Sequence, residues 1–431
     1  MKKSLFLLAL AGATLASCVS DDMMDPAQHE MQKDVKIKFD RPVMYNNAVT
    51  RANVYGEIGA NQTVRNYPTE EEFRIFAVKY DDNTPFTAWN PGAEGSNVEE
   101  CAFNDHVVKY AGISIDGWAP LIREDDPQTP DIDETEYFYW PEGKKLAFAA
   151  VSPADLECKG TNGSVIIPTY TDAGLQIENF QISSDASKQY DLLFSERIID
   201  QTAASMNHGA NDYSGIPIKF QHALSSIRFS LMNHTNVDVR LTSLKLYGAK
   251  YKGTFTEGIK ANSGGKYERT GEDANVHPQW APTADIVAEN NAYIAFQGNI
   301  SFPYNAQYVS ILTDAANKEL EEAGGTATNT CHQLLLMPQG LGNSESDNKV
   351  YLQVNYTVAG QANQKTVILN AQKREGETKG VADGEEVNAW EMGNRYTYRL
   401  VYDAETAQKD MIYFAPSTTD WQEGNPIIVK L

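Results

Sequence analysis

The side chains best suited to acid–base chemistry or to zinc are seven histidines, and they are scattered singly: His29, His106, His208, His222, His234, His277 and His332. A zinc site draws ligands from short spacings, and no two of these provide one. His222 closes an apolar-polar run after Phe220 and Gln221, a place for a hydrogen-bonded structural imidazole rather than a catalytic base. The acidic run Asp125, Asp126, Asp131, Asp133, Glu134 and Glu136 offers oxygen ligands of the kind calcium takes. Pro127 and Pro130 interrupt it, and the glycine and terminal glutamate of an EF-hand loop are missing, so it reads as a solvated loop. The sequence also lacks a G-x-S-x-G elbow, an H-E-x-x-H helix, a Walker loop and a G-x-G-x-x-G turn. No catalytic, cofactor-binding or metal-binding residue is assigned, and the chain is not expected to be an enzyme.

Cysteine chemistry is readable at one position. Two lysines, Lys2 and Lys3, precede a short apolar run that ends in Leu15-Ala16-Ser17-Cys18. The run is shorter than the roughly 20 residues that span a bilayer, and has the layout of an export signal. Small residues just before Cys18 resemble a bacterial lipobox, which implies cleavage after residue 17 and lipid on the Cys18 thiol. The polar stretch that follows, Val19 to Pro26 with Asp21, Asp22 and Asp25, resembles an acidic tether that directs lipoproteins to the cell surface. The expected location is therefore the outer membrane, facing outward. Once Cys18 is used, Cys101, Cys158 and Cys331 allow at most one disulfide, so hydrophobic burial must hold the fold. Formal charge is −22, and −24 without residues 1–17. Such a chain is repelled by nucleic acid and by anionic lipid.

The elements that must carry any site are strands. Val350, Leu352, Val354, Tyr356 and Val358 alternate with polar residues, as do Ile227, Phe229 and Leu231, and Tyr396, Tyr398, Leu400 and Tyr402. Further strands are expected at 35–39, 73–80, 106–110, 146–151, 216–222, 239–247, 334–337 and 366–369. The apolar phase slips between Leu241 and Leu244, which predicts a bulge at Thr242-Ser243. One short helix is expected at 315–323, capped by Asp314. Stretches 81–105, 121–136, 253–290 and 371–389 are expected as surface loops. Many short strands with turn residues between them predict an all-β protein of antiparallel sandwiches, and the polar stretch 206–215 predicts a boundary between two strand sets.

Segments 73–80 (FRIFAVKY), 139–153 (YWPEGKKLAFAAVSP), 191–195 (DLLFS), 218–229 (IKFQHALSSIRF), 334–339 (LLLMPQ) and 390–398 (WEMGNRYTY), with a late Trp421, together resemble the fimbrillin family. Its members are subunits and associated components of protease-matured (type V) pili. The resemblance implies two transthyretin-like β-sandwich domains in series: a signal peptide over 1–17, a tether and removable strand over 18–51, then domains over 52–215 and 216–431. It implies a precursor whose N-terminal strand fills a groove until an arginine-specific protease removes it. A neighbouring subunit then supplies a donor strand, usually from its C-terminus, by strand addition.

On that resemblance, Val35, Ile37 and Phe39 are the removable strand's apolar face, alternating with Lys36 and Lys38. Arg41 precedes Pro42, a poor context for a trypsin-like protease, whereas Arg51 precedes Ala52 in a polar stretch and is the expected cut. Arg65, before Asn66, is the second choice. Ile427, Val429 and Leu431 alternate as a donor strand would, and equally as an ordinary final strand. The implied partners are other fimbrial subunits, the protease, the outer membrane through Cys18, and a host or bacterial surface receptor. A rival reading is a permanently anchored glycan-binding lipoprotein, with Trp89, Trp118, Trp140 or Trp280 stacking on sugars.

Overall fold

A computed structural model describes residues 36–45, 64–81, 83, 98–112, 117–120, 138–154, 156, 169–171, 174–195, 197–206, 215–257, 278–283, 292–302, 309–311, 330–331, 333–342, 349–370, 387–402 and 416–420. Among them, strands dominate, with two short 3-10 turns at Ala186–Lys188 and Ala203–Met206. The helix expected at 315–323 lies outside the described residues.

The first strands in chain order are β1 (Val43–Tyr45), β2 (Val64–Asn66), β3 (Phe73–Asp81), β4 (Val98–Gly112), β5 (Gly117–Pro120) and β6 (Lys144–Ser152). They are followed by β7 (Thr169–Thr171), β8 (Gly174–Gln181), β9 (Leu193–Ser195), β10 (Ile198–Gln201) and β11 (Lys219–His222). All but β7 and β8 form a nine-stranded sheet in the order β2-β1-β11-β9-β6-β3-β4-β5, with β10 also on β6. At its centre β3 is buried along most of its length. Apolar side chains on both faces explain the near-continuous run FRIFAVKY: Phe73, Ile75 and Ala77 enter one core, and Phe76 enters another.

The later strands are β12 (Ser225–Asn233), β13 (Val239–Tyr247), β14 (Lys252–Thr256), β15 (Gln279–Pro282), β16 (Tyr293–Ser301), β17 (Val309–Ser310) and β18 (Thr330–Cys331). After them come β19 (Leu334–Leu336), β20 (Gln339–Gly340), β21 (Tyr351–Val358), β22 (Gln361–Ile368), β23 (Ala389–Trp390), β24 (Asn394–Tyr402) and β25 (Pro416–Asp420). One five-stranded sheet has the order β17-β12-β24-β25 with β19 on β12, and another runs β18-β16-β13-β21-β22. The bulge expected near Thr242 is present, as a register shift between Leu241 and Ser243 against both neighbours of β13.

Three expectations change. The strand over 216–222 does not open the second strand set: Phe220 pairs with Ser195 on one side and Met44 on the other, inside the nine-stranded sheet. Its partners are distant in sequence, and no local pattern indicates them. A four-stranded sheet, β15-β14-β8-β7, joins the two halves, pairing Phe255 with Ile177. Nor is pairing purely antiparallel, since β1 runs parallel to β11, and β12 to β24 in register Ile227 with Tyr396. Strands also fall within stretches expected as loops: β4 begins at Val98 inside 81–105, while β14 and β15 lie in 253–290.

Candidate functional site

The segment before β1 and β1 itself occupy a seam of the nine-stranded sheet. Ile37 and Phe39 are 4% and 3% exposed, while the alternating Lys36 and Lys38 are half-buried, as a strand of period two requires. The Phe39 ring lies edge-on to Phe73 and Phe148, with centroids 6.1 and 6.0 Å away. Tyr67, Trp118 and Phe220 continue this aromatic wall, with Tyr67 5.5 Å from Trp118 and 5.2 Å from Phe220. The Tyr67 hydroxyl donates to the Glu72 carbonyl at 2.9 Å and lies 2.7 Å from Ser152 Oγ. Burial pushes its pKa above the ordinary phenol range; the Ser152 hydrogen bond opposes this, and the Glu71 and Glu72 charges add to it.

The main chain of the segment is held on two sides. Ile37 N–H donates to the Phe138 carbonyl (2.7 Å) and Phe39 N–H to the Trp118 carbonyl (3.2 Å). Across the other edge, Asp40 N–H donates to Ile216 (3.0 Å) and Val43 N–H to Ile218 (3.1 Å), while Ile216 N–H returns a bond to Lys38 (2.8 Å). The segment therefore bridges antiparallel to Trp118 and Tyr139 and parallel to Ile216. After Pro42, β1 continues parallel beside β11 and antiparallel beside β2. At the bend, burial raises the Asp40 carboxyl pKa, and the Arg41 N–H on its Oδ1 at 2.7 Å works against that rise.

The path through β11, β9, β6, β3, β4 and β5 thus returns on itself through residues 36–40. A sheet closed this way keeps its edges satisfied. Burial of the two apolar side chains stabilises the insert by roughly 3–6 kcal/mol, at about 1.5–3 for each. This is geometry for holding a strand, not for breaking bonds.

Of the residues named from sequence, Ile37 and Phe39 stand together here. Cys18, Val35, Arg51, Ala52, Ile427, Val429 and Leu431 lie outside the described residues. Arg65 lies in β2, its backbone opposite Met44. The sequence reading ended the inserted strand at Phe39, yet insertion continues to Tyr45; the apolar triplet Val43-Met44-Tyr45 after Pro42 carried that signal.

Elsewhere, His222 is buried with its Nδ1 2.6 Å from Asp191 Oδ2. Among the described residues no cluster of His, Cys, Asp or Glu could hold a metal, and no helix is long and apolar enough to cross a membrane. The acidic run at 125–136 and Trp89 lie outside the described residues. Trp118 and Trp140 are core residues, and half-buried Trp280 spends its indole N–H on the Ala223 carbonyl at 2.6 Å. These three are therefore not open platforms for a sugar ring.

Comparison with known proteins gives one family and several distant folds. A family model described as fimbrillin-like matches residues 126–421. Among solved structures, a fimbrial protein from Bacteroides vulgatus is 16% identical, covering 81% of this chain and 93% of its own, with a TM-score of 0.45. A protein assigned to cell adhesion from Bacteroides uniformis is 11% identical over 90% of this chain and 99% of its own, with a TM-score of 0.40. The tip fimbrial protein Mfa3 of Porphyromonas gingivalis, truncated at its C-terminus, is 10% identical over 81% of this chain and 94% of its own, with a TM-score of 0.29. No curated protein gives a significant match.

Proposed function

The chain belongs to the fimbrillin-like family, and on that premise we propose that it is a structural subunit, stalk or tip, of a cell-surface fimbria that assembles by strand exchange. The family is one of structural and adhesion proteins rather than enzymes, and the absence of a catalytic motif in the sequence agrees. In this reading the precursor is exported, lipidated on Cys18 and tethered to the outer membrane. An arginine-specific protease cuts between Arg51 and Ala52, residues 36–45 leave, and a strand from another subunit takes their place. The rest of the chain is two transthyretin-like sandwich units, with the first extended to His222.

The observation that carries the reading is the insertion of 36–45 across the seam between β5 and β11. Its departure would uncover the Phe138, Trp118, Ile216 and Ile218 carbonyls together with the pockets of Ile37 and Phe39. Unpaired edges flanking an apolar cleft bind strands. The choice of Arg51 is supported by the alternatives: Arg41 precedes Pro42, and Arg65 is paired within β2. Both Arg51 and Arg65 lie downstream of β1, so either cut severs the insert from β3 onward, the second taking Val64 and Arg65 of β2 with it.

The test is to treat purified full-length precursor with a trypsin-like, arginine-specific protease. The mature N-terminus is then sequenced, and unheated samples are run in SDS. A chain beginning at Ala52 and a ladder of oligomers are expected. A chain that stays uncut between 46 and 65 and remains monomeric would end the proposal.

A further inference from the structure

Gly215 lies directly against the inserted strand, at Phe39 and Asp40. A β carbon built on it would stand 2.3 Å from the Asp40 nitrogen, 2.3 Å from the Phe39 carbonyl carbon and 2.8 Å from the Phe39 Cα. All three are backbone atoms of the inserted strand, so no side-chain rotation relieves the overlap. The backbone has little freedom to retreat. Phe39 N–H is bonded to Trp118 behind it, Asp40 N–H is bonded to Ile216, and Ile216 N–H is bonded to Lys38. The Phe39 ring is wedged against Phe73 and Phe148. Interiors this dense resist even a methyl group. By contrast, a β carbon on Gly340 would meet nothing within 4 Å.

We propose that Gly215 is the steric gate of the strand groove, and that it fixes which strands the groove accepts. The inference rests on the strand-exchange reading and adds a rule for the partner. An occupant carries apolar side chains at two alternate positions, those of Ile37 and Phe39. The next residue, over Gly215, presents an unsubstituted amide N–H to the Ile216 carbonyl. Proline is excluded there, because it has no N–H and its ring carbon would occupy the space Gly215 leaves open. Two residues later proline is tolerated: Pro42 needs no donor, and its carbonyl accepts the Tyr67 N–H at 2.9 Å. The partner is thus a second polypeptide strand that lies parallel to the segment starting at Ile216.

The experiment uses the full-length chain cut by the protease and a fluorescent peptide of residues 35–45 as the probe. Wild type is expected to exchange its leader for the peptide. Gly215→Ala should weaken peptide binding about 100-fold, the scale of a core overlap expressed as affinity, while Gly340→Ala leaves it unchanged. A peptide methylated on the Asp40 nitrogen should fail on wild type to a similar degree. That arm decides the matter where Gly215→Ala does not fold. If cut wild type neither releases its leader nor takes the plain peptide, the strand-exchange reading falls and the gate with it. If wild type takes the plain and the methylated peptide equally well, or Gly215→Ala folds and binds as wild type does, the gate alone is overturned.

Discussion

Trp390 donates its indole N–H to the Tyr398 hydroxyl across 2.9 Å, with both rings inside the core and Phe229 stacked on Tyr398 at 5.9 Å. The bond ties the short strand β23 to β24, eight residues on, and so anchors the return into the five-stranded sheet. Tyr398→Phe leaves a buried indole donor without its acceptor and should cost about 1–3 kcal/mol. Trp390→Phe also opens space and should cost about 3 kcal/mol or more. Urea unfolding of both single variants and the double variant measures the coupling; strictly additive losses would mean the bond contributes nothing.

Alkali should unfold this protein by a route set by its buried phenols. Burial pushes the Tyr396 pKa up to about 12; the Glu391 N–H and Asn394 hydrogen bonds oppose that rise, and the Glu391 charge adds to it. Tyr67, Tyr293 and Tyr398 are shifted upward as well, each chiefly by burial. Below pH 10 the phenols are neutral in both states and the full stability is present. Between pH 10 and about 12 the unfolded chain loses protons that folded Tyr396 keeps, so stability falls with rising pH. That one group removes roughly 3 kcal/mol across the window, at about 1.4 per unit. Urea midpoints measured from pH 8 to 12 should be flat below 10 and drop steeply above it.

Arg197 and Glu257 form a buried pair at 3.4 Å, and Glu257 Oε2 also takes the Leu175 N–H at 3.3 Å. The pair ties the ends of β8 and β14 to the stretch between β9 and β10. Glu257→Gln takes the Glu257 charge away from beside a buried guanidinium, and should cost roughly 3–5 kcal/mol. Replacing both partners with apolar residues of similar volume should recover much of that loss. A double replacement less stable than Glu257→Gln alone would show that the charges themselves hold the junction.

The β21–β22 hairpin turns through Ala359 and Gly360, at φ +48° and +82°, with Val358 opposite Gln361. Two-residue loops with both residues at positive φ favour asparagine or glycine, and an alanine there carries strain of about 1 kcal/mol. Ala359→Asn should therefore stabilise by about 0.5–1 kcal/mol, and Ala359→Val should destabilise. Thermal midpoints read both signs.

Local pattern made the strands legible, and distance along the chain hid their partners. β13 shows its alternation and even its bulge in the residues 239–247, because both follow from which side chains face the core. The β11 segment was equally visible as a strand, yet its neighbours Met44 and Ser195 are set by long-range pairing that no local period encodes. The same holds for Phe255 against Ile177, and for the parallel register of β12 with β24. At the site, the alternation of Ile37 and Phe39 was legible. The close approach of Gly215 was not, since one glycine at the end of a polar stretch looks the same whether it bends a loop or lets a backbone pass.

Phe39 is the larger of the two buried anchors that hold the leader, with aromatic neighbours Phe73 and Phe148. Phe39→Ala should weaken the insert by about 3–5 kcal/mol, the usual loss for a buried phenylalanine. After a cut downstream of β1, and with no competing strand present, wild-type chain should therefore keep its severed leader through a single gel-filtration run. The leader is held by side chains and main-chain bonds together, and should yield only to an added strand. Phe39→Ala chain should lose it in the same run. Because the substitution leaves β2, β3 and the walls of the groove untouched, the emptied chain should then bind an added wild-type 35–45 peptide. Retention of the severed leader by Phe39→Ala would mean that main-chain pairing with Trp118 and Ile216 is sufficient, and that the aromatic pocket contributes specificity rather than hold.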